Sequence, residues 1–271
     1  MMRTYVIAEA GSCHDADWRK VEGLLAVAKD AGASALKLQW TSDPRRMAVR
    51  RHAPAYMDAY NRYLTFPTSW HVVLNERCKE AGLDYMCTVY LREDVSVVAP
   101  YVRHFKVASF EAADAEFLEA HLPYLKRHET KYLIASHGMG VRWPRAVKEW
   151  PAGVFERLRN LWCVSAYPAP VDQLNLLQCL GYDGFSDHSD PALIWTGALA
   201  VASGARIVEA HLKLYETDAQ NPDAPHAMTP EQFHAYVRHI RFAETALGDI
   251  TAALRTPLPA EEPMLRYRVV V

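Results

Sequence analysis

Residues 184–214 read GFSDHSDPALIWTGALAVASGARIVEAHLKL, and this stretch decides the fold. It contains two short apolar runs, which end at His188 and His211. An amphipathic segment of helical length, residues 191–203, separates them. The pattern predicts a strand, a helix and a second strand, and such a crossover makes the two strands parallel and adjacent.

The two histidines are then expected at the same carboxyl-terminal edge of neighbouring strands, with Asp187 and Glu209 beside them. Imidazole and carboxylate groups brought together in this way are candidates for half of a metal site. Two unrelated histidines at strand ends are an equally open interpretation.

The same alternation extends along the chain. Short apolar strands are predicted over residues 5–9, 35–39, 84–88, 104–109, 132–136, 161–165, 185–188 and 207–211. Helices are predicted over 18–31, 69–81, 93–101, 115–127, 143–158, 171–180, 191–203 and 230–247, the last with Thr229 as N-cap. Eight such units favour an α/β fold of the (β/α)8 TIM-barrel type, spanning residues 1–250 as one domain. A doubly wound open sheet is the alternative.

Composition excludes several classes of function. Of the 271 residues, 50% are apolar and the net charge is −2, so there is no basic surface to suggest a nucleic-acid partner. No apolar run is long enough to span a membrane. The five cysteines are scattered without a CxxC pair, which is typical of buried free thiols in a reducing compartment. A cytoplasmic location is expected.

Polar residues follow every predicted strand, at the edge where barrels carry their chemistry. Lys37 and Lys106 are the most informative, because each interrupts an apolar strand. A buried lysine needs an anion, so both are candidates for binding phosphate or carboxylate. The alternative is that each forms a structural ion pair with a nearby glutamate. The other candidates at strand ends are Glu9, Gln39, Thr88, Ser109, Glu111, Ser136, Ser165, Tyr167, Ser186, Asp187, His188, Glu209 and His211.

These residues lie in motifs that follow one another in a fixed order. The motifs are Ile7-Ala-Glu9-Ala-Gly11 followed by His14, Ala31-Gly-Ala-x-Ala-Leu-Lys37-Leu-Gln39, Phe105-Lys106-Val-Ala-Ser109-Phe-Glu111, Ser136-His-Gly138-Met139, Cys163-Val-Ser-Ala-Tyr167-Pro-Ala-Pro170, Gly184-Phe-Ser-Asp-His188 and Val208-Glu209-Ala-His211. In this order the chain resembles the N-acetylneuraminate (sialic acid) synthase family. The resemblance implies a metal-dependent condensation of phosphoenolpyruvate with an amino-sugar aldehyde, giving a sialic-type acid and phosphate.

The resemblance also implies roles for particular residues. His188 and His211 would bind a divalent metal, most typically Mn²⁺, with Mg²⁺ or Co²⁺ as alternatives. Lys37, Lys106, Ser109, Ser136 and Ser186 would hold phosphoenolpyruvate, with Thr88, Ser165 and Tyr167 lining the same pocket. Glu9 and Glu111 would lie near the reacting groups, and Asp223 would contact the hydroxyls of the acceptor sugar. Gln39, Asp187 and Glu209 complete the expected substrate-binding set.

Several positions depart from the family pattern, namely Cys13, His137, Ser165, Ala210 and Asn221. They leave the acceptor sugar open. Residues 251–271 resemble the linker to an antifreeze-like domain, and two interpretations stay open: the protein lacks this domain, or the domain has been cut from the chain. The expected partners are small-molecule substrates, with a homodimer possible. Two other functions stay open, another metal-dependent barrel lyase or aldolase and a non-catalytic sugar-binding relative.

Overall fold

Eight parallel strands close on themselves in the computed structural model, which describes residues 3–248 and 258–267. The strands are β1 (Tyr5–Gly11), β2 (Ala35–Gln39), β3 (Asp84–Thr88), β4 (Phe105–Val107), β5 (Leu133–His137), β6 (Leu158–Trp162), β7 (Gly184–Asp187) and β8 (Ile207–His211). Each strand pairs with the next, and β8 pairs with β1. The pairing of β8 with β1 confirms the predicted TIM barrel and excludes an open sheet.

Helices follow the strands on the outside of the barrel. They are α1 (Trp18–Asp30), α2 (Pro44–Arg50), α3 (Met57–Tyr63), α4 (Ser69–Ala81), α5 (Arg92–Val98), α6 (Ala115–Glu119), α7 (Leu122–Arg127), α8 (Ala152–Phe155), α9 (Thr196–Ala202) and α10 (Pro230–Leu247). Among the described residues, none of these helices is both long and apolar enough to cross a bilayer.

The helix ends follow local chemistry that the sequence shows. Thr229 caps α10, because its side chain accepts a hydrogen bond from the Gln232 N–H while the Gln232 side chain accepts one from the Thr229 N–H. Pro230 occupies the first turn, where no backbone donor is lost. After α4, Gly82 has a φ of 75°, the left-handed conformation that ends a helix at little cost for glycine.

Five predicted elements are wrong in extent. The predicted strand over 161–165 is β6 at Leu158–Trp162, because Leu158 already pairs with Leu133 of β5. The predicted helix over 143–158 is a 3-10 helix (Arg145–Glu149) and the short α8, since Pro151 cannot continue a helix. Left-handed Asn175 divides the predicted helix over 171–180 into two 3-10 helices, Val171–Gln173 and Leu176–Gly181.

The fourth is the helix predicted over 115–127, which the chain forms as α6 and α7 with Pro123 in the first turn of the second. The fifth is the helix predicted over 191–203, which begins only at Thr196. The remaining boundaries differ by up to three residues. All eight strands therefore occur in the expected order, and apart from the shifted β6 the large errors lie in the helical connections.

Packing gives the barrel two apolar zones. Ile7, Ala35, Met86, Ile134 and Leu161 fill the amino-terminal half of the barrel interior as a small cluster of buried side chains. A much larger buried cluster lies between the sheet and the helices. The five cysteines are free and buried, as predicted. The polar residues are thus left to the carboxyl-terminal half of the interior.

Residues 258–267 contain a 3-10 helix (Pro259–Tyr267). The rest of the predicted linker, residues 251–257 and 268–271, lies outside the described residues. The interpretation of 251–271 as a linker to a further domain stays a prediction.

Candidate active site

One cavity of about 850 Å³ opens at the carboxyl-terminal end of the barrel. This is the size of a small-molecule site and the end where barrel enzymes bind substrates. Fourteen predicted residues line it, namely Glu9, Lys37, Gln39, Thr88, Lys106, Ser109, Glu111, Ser136, Tyr167, Ser186, His188, Glu209, His211 and Asp223. Ser165 and Asp187 are the two predicted residues that do not.

The floor of this cavity is a cluster of two lysines and two glutamates. Strand register places Glu9 beside Lys37, and Lys37 Nζ lies 2.5 Å from Glu9 Oε2 and 3.6 Å from Glu209 Oε2. Lys106 Nζ lies 3.3 Å from Glu209 Oε1. Both lysines therefore form the ion pairs that were the alternative interpretation. They also line the cavity, so the ion pairs do not remove them from reach of a ligand.

The two glutamates have opposite pKa shifts. Burial alone would raise the pKa of Glu209, but Lys106 and Lys37 lower it to about 2. Burial and the charge of Glu209 raise the pKa of Glu9 to about 7, against the opposing effect of Lys37. The lysines thus hold one carboxylate firmly ionised and leave Glu9 near its titration point at neutral pH. When Glu9 is protonated, the cluster carries net positive charge.

Hydroxyl groups complete this half of the cavity. Lys37 Nζ donates to Thr88 Oγ1 at 2.8 Å, and Lys106 Nζ donates to Ser136 Oγ at 2.8 Å. Ser109 Oγ lies 2.9 Å from Ser165 Oγ. Ser165 therefore contacts Ser109, which lines the cavity, but does not line the cavity itself. Ammonium and hydroxyl donors are therefore concentrated in one place, an arrangement suited to a phosphate or carboxylate group.

His188 and His211 lie side by side with ring centroids 5.8 Å apart. His188 Nδ1 lies 2.9 Å from the carbonyl oxygen of Val164, which places its proton on Nδ1 and leaves a lone pair on Nε2. Burial lowers the pKa of His188 to about 4 and also lowers that of His211. Both rings are neutral near pH 7, the form that binds metal.

A third histidine, His226, was missed by the sequence analysis. Single ligand atoms of His211, Asp223 and His226 all lie within 4.8 Å of one another, and this set could hold a metal ion. His211 Nδ1 and both ring nitrogens of His226 are buried and have no hydrogen-bond partner within residues 3–248 and 258–267. The one feature of the sequence that could have indicated His226 is its position three residues after Asp223.

Asp223 is held from the first strand. The Ser12 N–H donates to Asp223 Oδ2 at 2.8 Å. Gly11 makes this approach possible, because it has a φ of 56° and an added Cβ would lie 2.4 Å from Asp223 Oδ2. The loop after β8 is thus fixed to the end of β1, with its carboxylate facing the cavity.

Asp187 lies outside the cavity, contrary to what its position suggested. Its carboxylate accepts hydrogen bonds from the Thr196 and Tyr236 hydroxyls at 2.5 and 2.8 Å and from the Ser189 N–H at 2.9 Å. These groups belong to α9, α10 and the loop after β7. Asp187 therefore anchors two helices to the barrel and is not among the residues that we propose for substrate binding.

Asp187→Ala is expected to lower the free energy of unfolding by about 3 kcal/mol, since three buried donors lose their acceptor. Urea denaturation measures the change, and the exposed Asp190 supplies a matched control, Asp190→Ala. Unchanged stability together with weakened substrate binding would instead restore the role first predicted for Asp187.

The segment after β2 forms one wall of the cavity. Residues 41–66 form an insertion between β2 and α4, and this insertion contains α2 and α3. Arg51 makes a two-pronged ion pair with Glu111, at 2.9 and 2.8 Å, and its guanidinium lies 4.5 Å from the centre of the Tyr90 ring. Arg50 pairs with Asp114 at 2.6 Å. The insertion is therefore part of the site.

Comparisons with known proteins agree with this architecture. The chain is 27% identical to a pseudaminic acid synthase of Campylobacter jejuni, over 98% of this chain and 80% of that protein. It is 29% identical to an N,N'-diacetyllegionaminic acid synthase of Legionella pneumophila, over 91% and 74% of the two chains. The solved N-acetylneuraminic acid synthetase of Leptospira borgpetersenii has the same fold, with a TM-score of 0.78 at 24% identity over 98% and 91% of the chains.

A family model described as NeuB matches residues 24–252, which is most of the chain. This range contains the strands β2 to β8 and, apart from Ser12, all the lysines, serines and histidines of the cavity. The expectation of a sialic-acid-synthase-like transferase is confirmed, and the chain belongs to the NeuB family.

Proposed function

We propose that this chain condenses phosphoenolpyruvate with an N-acylated amino-sugar aldehyde, releasing phosphate and a nonulosonic acid, in a reaction that requires a divalent metal. The observation that carries the proposal is the shared cavity. Paired lysines and hydroxyls lie at its floor, and neutral histidines with a carboxylate lie at its side.

The lysine floor suits the donor substrate. Lys37 and Lys106 are fixed by Thr88 and Ser136, so their ammonium groups need little reorganisation to meet an anion. Ser109 and Ser186 also line this part of the cavity. Their hydroxyls can turn toward phosphate or carboxylate oxygens, and charge-assisted hydrogen bonds of this kind are strong.

The charge balance of the cavity favours a bound cation. Four cationic side chains line it against five carboxyl groups, namely Lys37, Arg50, Arg51 and Lys106 against Glu9, Glu111, Asp114, Glu209 and Asp223. A highly anionic donor therefore needs further positive charge. His211 and His188 offer neutral imidazoles for it. A bound divalent ion would supply Lewis acidity toward the aldehyde oxygen.

In the proposed reaction Glu9 accepts the proton that the attacking water loses. In the proposed reaction a C–C bond forms between the enol carbon and the aldehyde carbon. The aldehyde oxygen takes up a proton and becomes a hydroxyl group, while water adds to the carbon that carries the phosphate and loses a proton. Phosphate then leaves with its bridging oxygen, and the same carbon becomes the keto carbon of the product. A carboxyl group with a pKa of about 7 can take up the proton that this water loses. Gln39 Nε2 donates to Glu9 Oε1 at 2.9 Å and fixes its orientation.

Glu9→Gln is expected to lower kcat by about 100-fold or more and to remove the ionisation near pH 7 from the rate profile. In the wild type kcat should rise as the pH rises through about 7, because the ionised form accepts the proton. Phosphate release measured from pH 5.5 to 9 checks this. A variant that is slow but keeps the same pH profile would contradict the assignment.

The insertion wall supports an acylated acceptor. Met47, Tyr56, Tyr60 and Leu64 line the cavity on this side, and the rings of Tyr56 and Tyr60 stack with centroids 6.0 Å apart. Apolar faces of this kind suit acyl groups and the C–H faces of a sugar. Two relatives bear the names of synthases for pseudaminic and diacetyllegionaminic acid, which agrees with such an acceptor.

Screening aldoses with Mn²⁺ and phosphoenolpyruvate tests the proposal. N-acetylmannosamine, diacetamido-trideoxyhexoses and unmodified mannose should be compared by phosphate release. We expect release with at least one acylated sugar and little with mannose. Metal binding without phosphate release would favour a different lyase or aldolase, and sugar binding without turnover would favour a non-catalytic relative. A cytoplasmic location and a homodimer stay predictions.

A further inference from the structure

His226 is buried in a way that costs free energy in the absence of a ligand. Its side chain is only 3% exposed, and neither ring nitrogen has a hydrogen-bond partner among the described residues. The nearest carboxylate oxygen, Asp223 Oδ1, lies 3.8 Å from His226 Nε2, which is beyond hydrogen-bond distance. A neutral imidazole normally uses both nitrogens, so two unpartnered ones indicate that something else binds here.

The loop that carries His226 is rigidly placed. His226 ends a 3-10 helix (Ala224–His226). Lys213 Nζ donates to the Ala224 carbonyl oxygen at 2.6 Å, and the Met228 N–H donates to the His211 carbonyl oxygen at 2.9 Å. The loop thus returns to β8 on both sides of His226. The ring is presented to His211 by the fold, with centroids 4.5 Å apart.

The three side chains have the spacing of metal ligands. Ligand atoms of His211, Asp223 and His226 lie within 4.8 Å of one another, whereas a bound transition metal holds nitrogen and oxygen ligands at about 2.0–2.2 Å from itself. Only small adjustments would bring all three onto one ion. His188 does not belong to this tight group, although its ring lies next to that of His211.

We propose that His226 and Asp223 join His211 as metal ligands, forming a site of two histidines and one carboxylate. The proposal rests on the metal-dependent function above and adds to the pair His188 and His211. This set of ligands also limits which divalent ions fit the site. Two imidazoles with one carboxylate suit Mn²⁺, Co²⁺, Fe²⁺ or Zn²⁺, whereas Mg²⁺ prefers oxygen ligands.

Metal binding without substrate tests this directly. The full chain is stripped with a chelator, and Mn²⁺ is titrated while free Mn²⁺ is followed by electron paramagnetic resonance. Mutation of a residue that only hydrogen-bonds to a metal ligand typically weakens metal binding by about 10-fold or more. Loss of a direct ligand should weaken it at least as much, so His226→Ala is expected to raise the Kd for Mn²⁺ by about 10-fold or more. His226→Gln, which keeps more of the volume, and Asp223→Asn should do the same. His234→Ala, at an exposed position on α10, is the matched control and should leave the Kd unchanged.

A second readout uses Co²⁺, whose visible absorption reports its ligands. The spectrum of the wild type should change in His226→Ala and not in His234→Ala, while circular dichroism shows that both variants are folded. A Kd and a Co²⁺ spectrum of His226→Ala equal to those of the wild type would overturn the proposal and leave the proposed function intact. If the wild type binds no Mn²⁺, the proposal is also overturned. Phosphate release would then be measured with and without chelator, and release that persists with chelator would show that the condensation needs no metal.

Discussion

Replacing Lys106 by alanine is expected to lower kcat/KM for phosphoenolpyruvate by about 1,000-fold, the equivalent of about 4 kcal/mol. Lys106 Nζ lies 3.3 Å from Glu209 and 2.8 Å from Ser136 Oγ, deep in the floor of the cavity. Without it the donor loses a cation, and the Glu209 carboxylate, opposed only by Lys37 at 3.6 Å, repels the incoming anion.

Steady-state phosphate release checks this prediction, with Lys148→Ala as a control at an exposed lysine. The melting temperature of the Lys106→Ala variant shows whether a loss of activity reflects a loss of folding. Folded Lys106→Ala with near-normal kcat/KM would contradict the assignment of the floor to phosphoenolpyruvate.

His211→Ala is expected to abolish bound metal and to reduce phosphate release by about 1,000-fold or more, because a Lewis acid contributes several kcal/mol to such a step. His211 is the one residue shared by the predicted pair with His188 and by the group with Asp223 and His226. Its loss should therefore be more severe than that of any other histidine in the cavity.

Metal content by mass spectrometry and phosphate release with added Mn²⁺ measure the two effects, and His128→Ala on the exposed end of α7 is the control. Removing the metal from the wild type with a chelator should reproduce the loss, and returning Mn²⁺ should restore it only in the wild type. Full metal content and activity in His211→Ala would place the metal elsewhere.

The barrel was predictable because its signals are local. Apolar runs such as residues 35–39 and 207–211 match β2 and β8 without a shift. The failures have physical causes that local patterns do not carry. Asn175 adopts a left-handed backbone with a φ of 44°, and Pro151 ends a segment whose apolar spacing favoured one long helix.

The positions of the site residues were predictable where the register of neighbouring strands determines them. Glu9, Lys37 and His211 meet because neighbouring strands pair at these positions. Asp187 was misplaced, since successive residues of a strand face opposite sides and its side chain meets α9 and α10. His226 and Arg51 were missed because loops bring them to the cavity, and loop paths depend on long-range contacts such as Arg51 with Glu111.

Omitting one component at a time from the phosphate-release assay tests the central claim most directly. The complete mixture contains the metal-loaded protein, phosphoenolpyruvate and the best acylated aldose from the screen. Phosphate should appear only in the complete mixture, in equal amount with the aldose consumed. Release without aldose, or without metal, or no release with any acceptor would contradict a metal-dependent condensation of phosphoenolpyruvate.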